Sequence, residues 1–195
     1  MTEKQFQAKT FNNFLNQEEV NKFVTFCETT DLWRSIPDNA WDKRLVNYNS
    51  LPEELKNILT NTILKIKQTF EKEYNLNKPI YPDGMDVVRW FPGMSQDPHC
   101  DDMSETNSKE TQKVFGHRYF GCIIYLNTNY EGGKTYYPEH NFEITPEAGK
   151  LAVHLGDCNH RHGVTPVLNG NRYTIASFWT FDKSRAIQGI DYKDI

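Results

Sequence analysis

The sequence predicts a mainly β protein with supporting helices (α+β), on three observations. The first 75 or so residues have helical texture. From Ile80 onward the runs are short, β-branched and aromatic, and Pro, Gly, Asn and Asp separate them. Aromatic residues make up 13% of the chain, which suits a β-rich interior because flat side chains pack well on sheets. Helices gathered at the front and at least six strands behind them predict a sandwich or barrel with the helices on one sheet face.

Asn16 or Asn13 is positioned to cap a helix from about Gln17 to Thr30, with Val20, Phe23, Val24 and Phe26 as an uneven apolar face. Ser50 and Glu53 have capping-box spacing and Pro52 sits near the first turn of a second helix reaching about Tyr74. Leu55, Ile58, Leu59, Ile63, Ile66 and Phe70 recur near a 3.6 period and predict one stripe facing the core. The segment between, with Trp33 and Trp41, reads as neither helix nor strand. Behind it, MDVVRWF, RYFGCIIYLN, KTYYP, KLAVHL and RYTIASFWTF read as strands. Gly132-Gly133 and Asn169-Gly170-Asn171 mark tight turns. Met103 to Lys113 is polar, without apolar period, and longer than an ordinary connection.

A length of 195 residues fits one domain. Its expected parts are helical support over about 1–75, a β core over about 80–182 and a short C-terminal tail. A net charge of −4 argues against a nucleic-acid partner, which selects for a basic face. It suits a peptide, an amino acid or another small substrate. Cys27, Cys100, Cys122 and Cys158 are widely spaced and read as free thiols of a reducing compartment. The opening MTEKQFQAKTFNNF lacks the apolar run of a signal peptide, and no stretch approaches a membrane span. A cytoplasmic location away from membranes is the expectation.

Residues i and i+2 of a strand share a face. His99-Cys100-Asp101 therefore offers an imidazole and a carboxylate together, with Cys100 turned away. A third ligand can come from His160 or His162, between which strand parity does not choose. Two histidines and one carboxylate leaving open positions are the set used for non-haem iron(II). His117, His140 and His154 read as strand or surface residues. Ten residues past His162, Arg172 opens the last strong strand, where an inward guanidinium calls for an anion. Thr174 faces the same way and adds a hydroxyl, unless it is only strand filler.

From about Met85 to Asp182 the chain resembles the Fe(II)/2-oxoglutarate oxygenases of the prolyl 4-hydroxylase type. The resemblance lies in VVRWFPGMSQDPHCD, RYFGCIIYLNTNYEGGKTYYP, ITPEAGKLAVHL and HGVTPVLNGNRYTIASFW, in that order. It implies a double-stranded β-helix, or jelly roll, with N-terminal helices buttressing the major sheet. It implies iron ligands His99, Asp101 and His162, since relatives place the second histidine before a Gly-Val pair. It implies Arg172 and Tyr125 on the distal carboxylate of 2-oxoglutarate, O2 as co-reactant and ascorbate as a reductant; a core role is the other reading of Tyr125. Trp90 stands where many relatives carry a tyrosine that reaches this cosubstrate, and an indole offers only a donor. Arg118 has a counterpart near substrate, its alternative being an exposed strand-start arginine. Arg172 to Trp179 runs one residue longer than in the hypoxia-factor prolyl hydroxylases, which a bulge would absorb. Asp101 separates the chain from related halogenases, which carry a small residue there, and so implies hydroxylation.

The implied activity is hydroxylation of an unactivated C–H bond, first of a prolyl residue in a peptide or protein, with a free amino acid or small metabolite as the rival. The 103–113 segment, directly after the ligand pair, then reads as a substrate-selecting lid or, alternatively, as a plain surface loop. The reading from another class is a non-catalytic jelly-roll binding module. A nucleic-acid demethylase would call for a basic face and a second arginine in the last strand.

Overall fold

The computed structural model describes residues 6–192. The signal-peptide reading and the C-terminal tail fall partly outside that range. In chain order, β1 (Lys9–Phe11), α1 (Gln17–Thr29), β2 (Leu45–Asn47) and α2 (Glu53–Glu73) precede the long strand β3 (Tyr81–Trp90). β4 (Gln96–His99), α3 (Lys109–Phe115), β5 (Phe120–Tyr125), β6 (Glu131–Gly132) and β7 (Thr135–Tyr137) follow. β8 (Phe142–Ile144), β9 (Leu151–Leu155), β10 (His162–Val164), β11 (Val167–Asn169) and β12 (Arg172–Thr180) complete the order.

The strands form a six-stranded sheet, β1-β9-β5-β12-β3-β2, a four-stranded sheet, β4-β10-β7-β8, and a β11-β6 ladder. Every pairing is antiparallel, and the arrangement is the open-sheet jelly roll rather than a closed barrel. Alternation along each central strand sends one set of side chains to each face. Phe120, Cys122, Ile124, Val87, Ile175 and Val153 join the helices in one core, whereas Val88, Trp90, Tyr125 and Ala152 meet Val164, Tyr137 and Ile144 of the smaller sheet. The candidate site lies in this second space, between the sheets.

The helices form as their apolar period predicts, but their caps differ. Asn16 is the α1 cap: its side chain accepts from Glu19 N, and Glu19 accepts from Asn16 N. Val20, Phe23 and Cys27 are its buried residues, with Val24 and Phe26 only partly covered. The Ser50–Glu53 box does not form. Ser50 ends a 3-10 turn and bonds Asn47 Oδ1, so α2 starts at Glu53 behind Pro52, which gives no side-chain cap. Packing holds this helix instead. Leu55, Leu59, Ile63, Ile66 and Phe70 are buried, each stabilising by roughly 1.5–3 kcal/mol. Phe70 reaches Phe120 and Trp179 at centroid distances of 4.8 and 5.3 Å.

The expected bulge lies on the facing strand. β12 pairs β5 in unbroken register from Thr174 to Trp179, while against β3 the partners step from Phe178↔Gly84 to Trp179↔Pro82. The extra residue is Asp83, whose carboxylate lies 2.6 Å from His117 Nε2. The 103–113 segment ends in a helix: Ser108 caps α3, which has no buried residue.

The free-thiol reading fails for two of four cysteines. Cys100 and Cys158 are joined as a disulfide, Cα atoms 4.9 Å apart, while Cys27 and Cys122 are free and buried. The bond spans 58 residues of sequence and forms because the β4–α3 and β9–β10 connections meet at one end of the smaller sheet. The reducing-compartment inference loses its premise. Among the described residues no helix is long and apolar enough to cross a membrane.

Candidate active site

His99 ends β4, His162 opens β10, and the two are direct cross-strand partners. Asp101 lies just past the strand end, in a turn, and is buried. Its Oδ1 is 3.7 Å from His99 Nε2 and 3.8 Å from His162 Nε2. One ligand atom from each of the three fits within a 4.8 Å span, a triangle able to hold a metal ion.

Second-layer contacts orient both imidazoles. His99 Nδ1 is 3.0 Å from Asp97 O, and His162 Nδ1 is 3.0 Å from His160 O. A carbonyl only accepts, so each Nδ1 carries the proton and each Nε2 turns a lone pair to the centre. His160, the other candidate, is removed by the 3-10 turn Cys158–His160, which breaks strand parity. It is buried elsewhere, with Nδ1 2.6 Å from Asp157 Oδ1 and Nε2 accepting from Gln7 N.

The electrostatics favour a cation. Burial, with His154 adding, pushes the His162 imidazole down to about 3, so it is neutral at ordinary pH. Burial alone would raise Asp101, but His162, His154, His99 and Arg118 together outweigh it and hold the carboxyl below its usual range. Asp101 Oδ2 is buried without a hydrogen-bond partner. Two imidazole Nε2 lone pairs, that of His99 shared with the Gln96 amide at 3.3 Å, and a buried carboxylate are the donor set a divalent ion satisfies.

His154, read from sequence as a strand or surface residue, is a strand residue pointing inward. Its Nε2 lies 3.8 Å from Asp101 Oδ2, its ring 4.3 Å from that of His162. Gly121 makes room for this: a Cβ there would collide with Asp101 Oδ2 and stand 2.7 Å from His154 Cε1.

A cavity of about 90 Å3 runs inward from His99, Asp101 and His162 to Arg172, lined also by Trp90, Thr174 and Trp41. Arg172 is only 1% exposed and its Nε has no partner. Its Nη2 donates to Thr135 Oγ1 at 3.4 Å, and Tyr125 donates to the same oxygen at 2.7 Å. Thr135 accepts from both and keeps its own proton to donate. Trp90 faces Arg172 across the β3–β12 ladder, with its indole N–H buried and unpartnered. Thr174, buried, pairs with Tyr125 in register.

Arg118 is not at the metal triangle. It belongs to a larger outer cleft, about 570 Å3, walled by Trp41, Leu45, Asp86, Met103, Phe115 and Phe178. Its guanidinium lies 3.6 Å from the Phe178 ring centroid and 4.5 Å from that of Phe115. The exposed reading is excluded, as its side chain is only 21% exposed. His99 and Asp101 border both the cavity and the cleft. Sequence reasoning missed Thr135, Trp41, His154 and Gly121; KTYYP gave a strand but no sign of which face Thr135 takes.

The chain is similar to known proteins. The family model described as "2OG-Fe(II) oxygenase superfamily" matches residues 85–180. A relative from Acanthamoeba polyphaga mimivirus that bears a prolyl 4-hydroxylase name is 23% identical over 178 residues, spanning 86% of this chain and 71% of its own. The viral collagen prolyl hydroxylase of Paramecium Bursaria Chlorella virus-1, solved with 2OG, superposes with a TM-score of 0.65 at 18% identity, covering 93% of this chain and 96% of that one. A Trichoplax adhaerens prolyl hydroxylase, solved with a hypoxia inducible factor peptide fragment, gives 0.67 at 19% identity, covering 91% and 85%. The chain belongs to the 2OG-Fe(II) oxygenase superfamily.

Proposed function

We propose that this protein hydroxylates a prolyl residue of a peptide or protein segment, with His99, Asp101 and His162 holding iron(II) and Arg172 anchoring 2-oxoglutarate. The observation that carries the reading is the place of His99 and Asp101 on the wall shared by the basic inner cavity and the outer cleft. One compartment suits a small dianion and the other a larger guest, and both open on one point.

The residues fit the groups. Iron(II) with 2-oxoglutarate and O2 bound supplies the oxidising power for inserting oxygen into a C–H bond. The chain supplies position. The Nδ1–carbonyl bonds fix both imidazoles before any metal arrives. Arg172, with the hydroxyls of Thr135, Tyr125 and Thr174, forms a buried anchor for a distal carboxylate. Val88, Trp90 and Val164 exclude water from the inner cavity.

In the outer cleft, Trp41, Phe115 and Phe178 are apolar walls for a pyrrolidine ring, and Arg118 is a donor for a peptide carbonyl. Met103 and Phe115 come from the segment after the ligand pair, so its movement would open and close that cleft. Glu105 anchors the segment by accepting from Cys100 N and from Arg161 Nε, both at 3.0 Å. The prolyl hydroxylase names of the relatives support this substrate class over a free amino acid.

Purified protein given iron(II), ascorbate, 2-oxoglutarate and a panel of proline-containing peptides should return peptides one oxygen heavier, at proline, by mass spectrometry. Oxygen gained by free proline alone would reject the peptide reading.

A further inference from the structure

Arg44 lies immediately before β2 and is 4% exposed. Its guanidinium packs in the corner of two indoles that meet edge to face, 4.3 Å from the Trp41 ring centroid and 4.1 Å from that of Trp90. Backbone carbonyls take two of its donors: Nε donates to Arg89 O and Nη1 to Ala40 O. Nη2 is buried with no partner. The Arg172 guanidinium carbon also packs against Trp90, 5.2 Å from its centroid.

Trp90 and Trp41 both line the inner cavity. Two buried guanidinium groups thus share one indole, and neither is in a salt bridge to a carboxylate among the described residues. Burial first, and the Arg172 charge second, push Arg44 down to about 10. A pair of like charges out of water is costly unless an anion joins it.

We propose that Arg44 is a positioning residue for the cosubstrate, stacking the Trp41 and Trp90 walls in place and adding a second positive charge that selects a dianionic oxo acid over a monoanionic one. The inference rests on 2-oxoglutarate being the occupant of the inner cavity. Arg172 grips the distal carboxylate; Arg44 holds the indoles and adds its charge through space, without touching the ligand. A monoanion such as 2-oxobutyrate has the same chelating end but no distal charge, so it gains little from Arg44.

The test is equilibrium binding to the protein loaded with Mn(II), which reads the site without turnover. Tryptophan fluorescence is followed while 2-oxoglutarate or 2-oxobutyrate is titrated into wild type, Arg44→Met and Arg44→Lys. Arg44→Met keeps the bulk against the indoles and removes the charge. It should weaken 2-oxoglutarate about tenfold while leaving 2-oxobutyrate within about twofold. Arg44→Lys should recover most of the lost affinity, and its melting temperature controls for folding. Equal weakening of both acids by Arg44→Met, or no weakening of either, would overturn the proposal and leave the 2-oxoglutarate reading standing. Failure of wild type to bind 2-oxoglutarate would overturn both.

Discussion

His99 and His162 face each other across two antiparallel strands, and each donates its Nδ1 proton to a backbone carbonyl of its own strand or of the turn before it. The pair is thus preset as two Nε2 donors before a metal binds. Removing either donor leaves two of the three proposed ligands. His99→Ala or His162→Ala should lose tight Fe(II) or Co(II) binding, read by the visible spectrum of the cobalt form. His160→Ala should keep one metal per chain, because His160 faces Asp157 and Gln7. Loss of metal in His160→Ala with retention in His162→Ala would reverse the assignment.

Gly121 is the only residue type that fits beside Asp101 Oδ2 and His154. Gly121→Ala should displace the carboxylate and weaken metal binding by at least about tenfold, a cost in line with overpacking of roughly 1–3 kcal/mol. Calorimetric metal titration reads it directly. Unchanged affinity would show that Asp101 does not hold the metal from this position.

What the sequence made legible follows from how local each feature is. The α2 stripe rests on a period of 3.6 and the strands on β-branched and aromatic runs, so Leu55 to Phe70 and Arg172 to Thr180 come out as expected. The proposed ligand pair His99 and Asp101 is local as well. The choice of His162 needed family resemblance, since the 3-10 turn that rotates His160 away carries no period of its own. Thr135, Arg44 and the Cys100–Cys158 bond come from chain crossings tens of residues apart, where no spacing rule applies. The Ser50 cap failed because Asn47, three residues before it as Glu53 is three after, takes the same hydroxyl and N–H.

Arg172 should dominate cosubstrate affinity. Arg172→Met deletes the buried guanidinium and leaves Thr135 and Tyr125 bonded only to each other. Affinity for 2-oxoglutarate should fall about a hundredfold, as expected for a charge-assisted contact out of water. Thr135→Val removes one hydroxyl, the acceptor of the Tyr125 proton, and should weaken binding about tenfold. A Thr135→Val loss exceeding that of Arg172→Met would put the anchor on the wrong side chain.

The pH dependence of stability has a definite sign. His162 and His154 both have lowered values in the folded protein, with burial the main cause in each. Between the unfolded value near 6.5 and about 3, the unfolded chain therefore binds more protons at His162. Metal-free protein should lose stability as pH falls through that window, in urea melts with chelator present. Asp101 acts in the same direction only below its usual carboxylate value, at the acid end. His162→Gln should flatten the slope between pH 6.5 and 4. A slope unchanged in His162→Gln would place the proton uptake elsewhere.

Cys100 sits between two proposed ligands, and its bond to Cys158 ties their turn to the connection that delivers His162. The link closes a long loop, which in the chain-entropy account stabilises by about 4 kcal/mol. Ser104 Oγ lies 3.1 Å from Cys158 Sγ, and Glu105 accepts from Cys100 N, so the same bond also seats the start of the 103–113 segment. Cys100→Ser with Cys158→Ser should therefore lower the melting temperature and weaken metal binding together. Mild dithiol reduction of the wild type should reproduce both effects, and reoxidation should restore them. A double variant that melts earlier yet binds metal as wild type does would confine the bond to a role in stability.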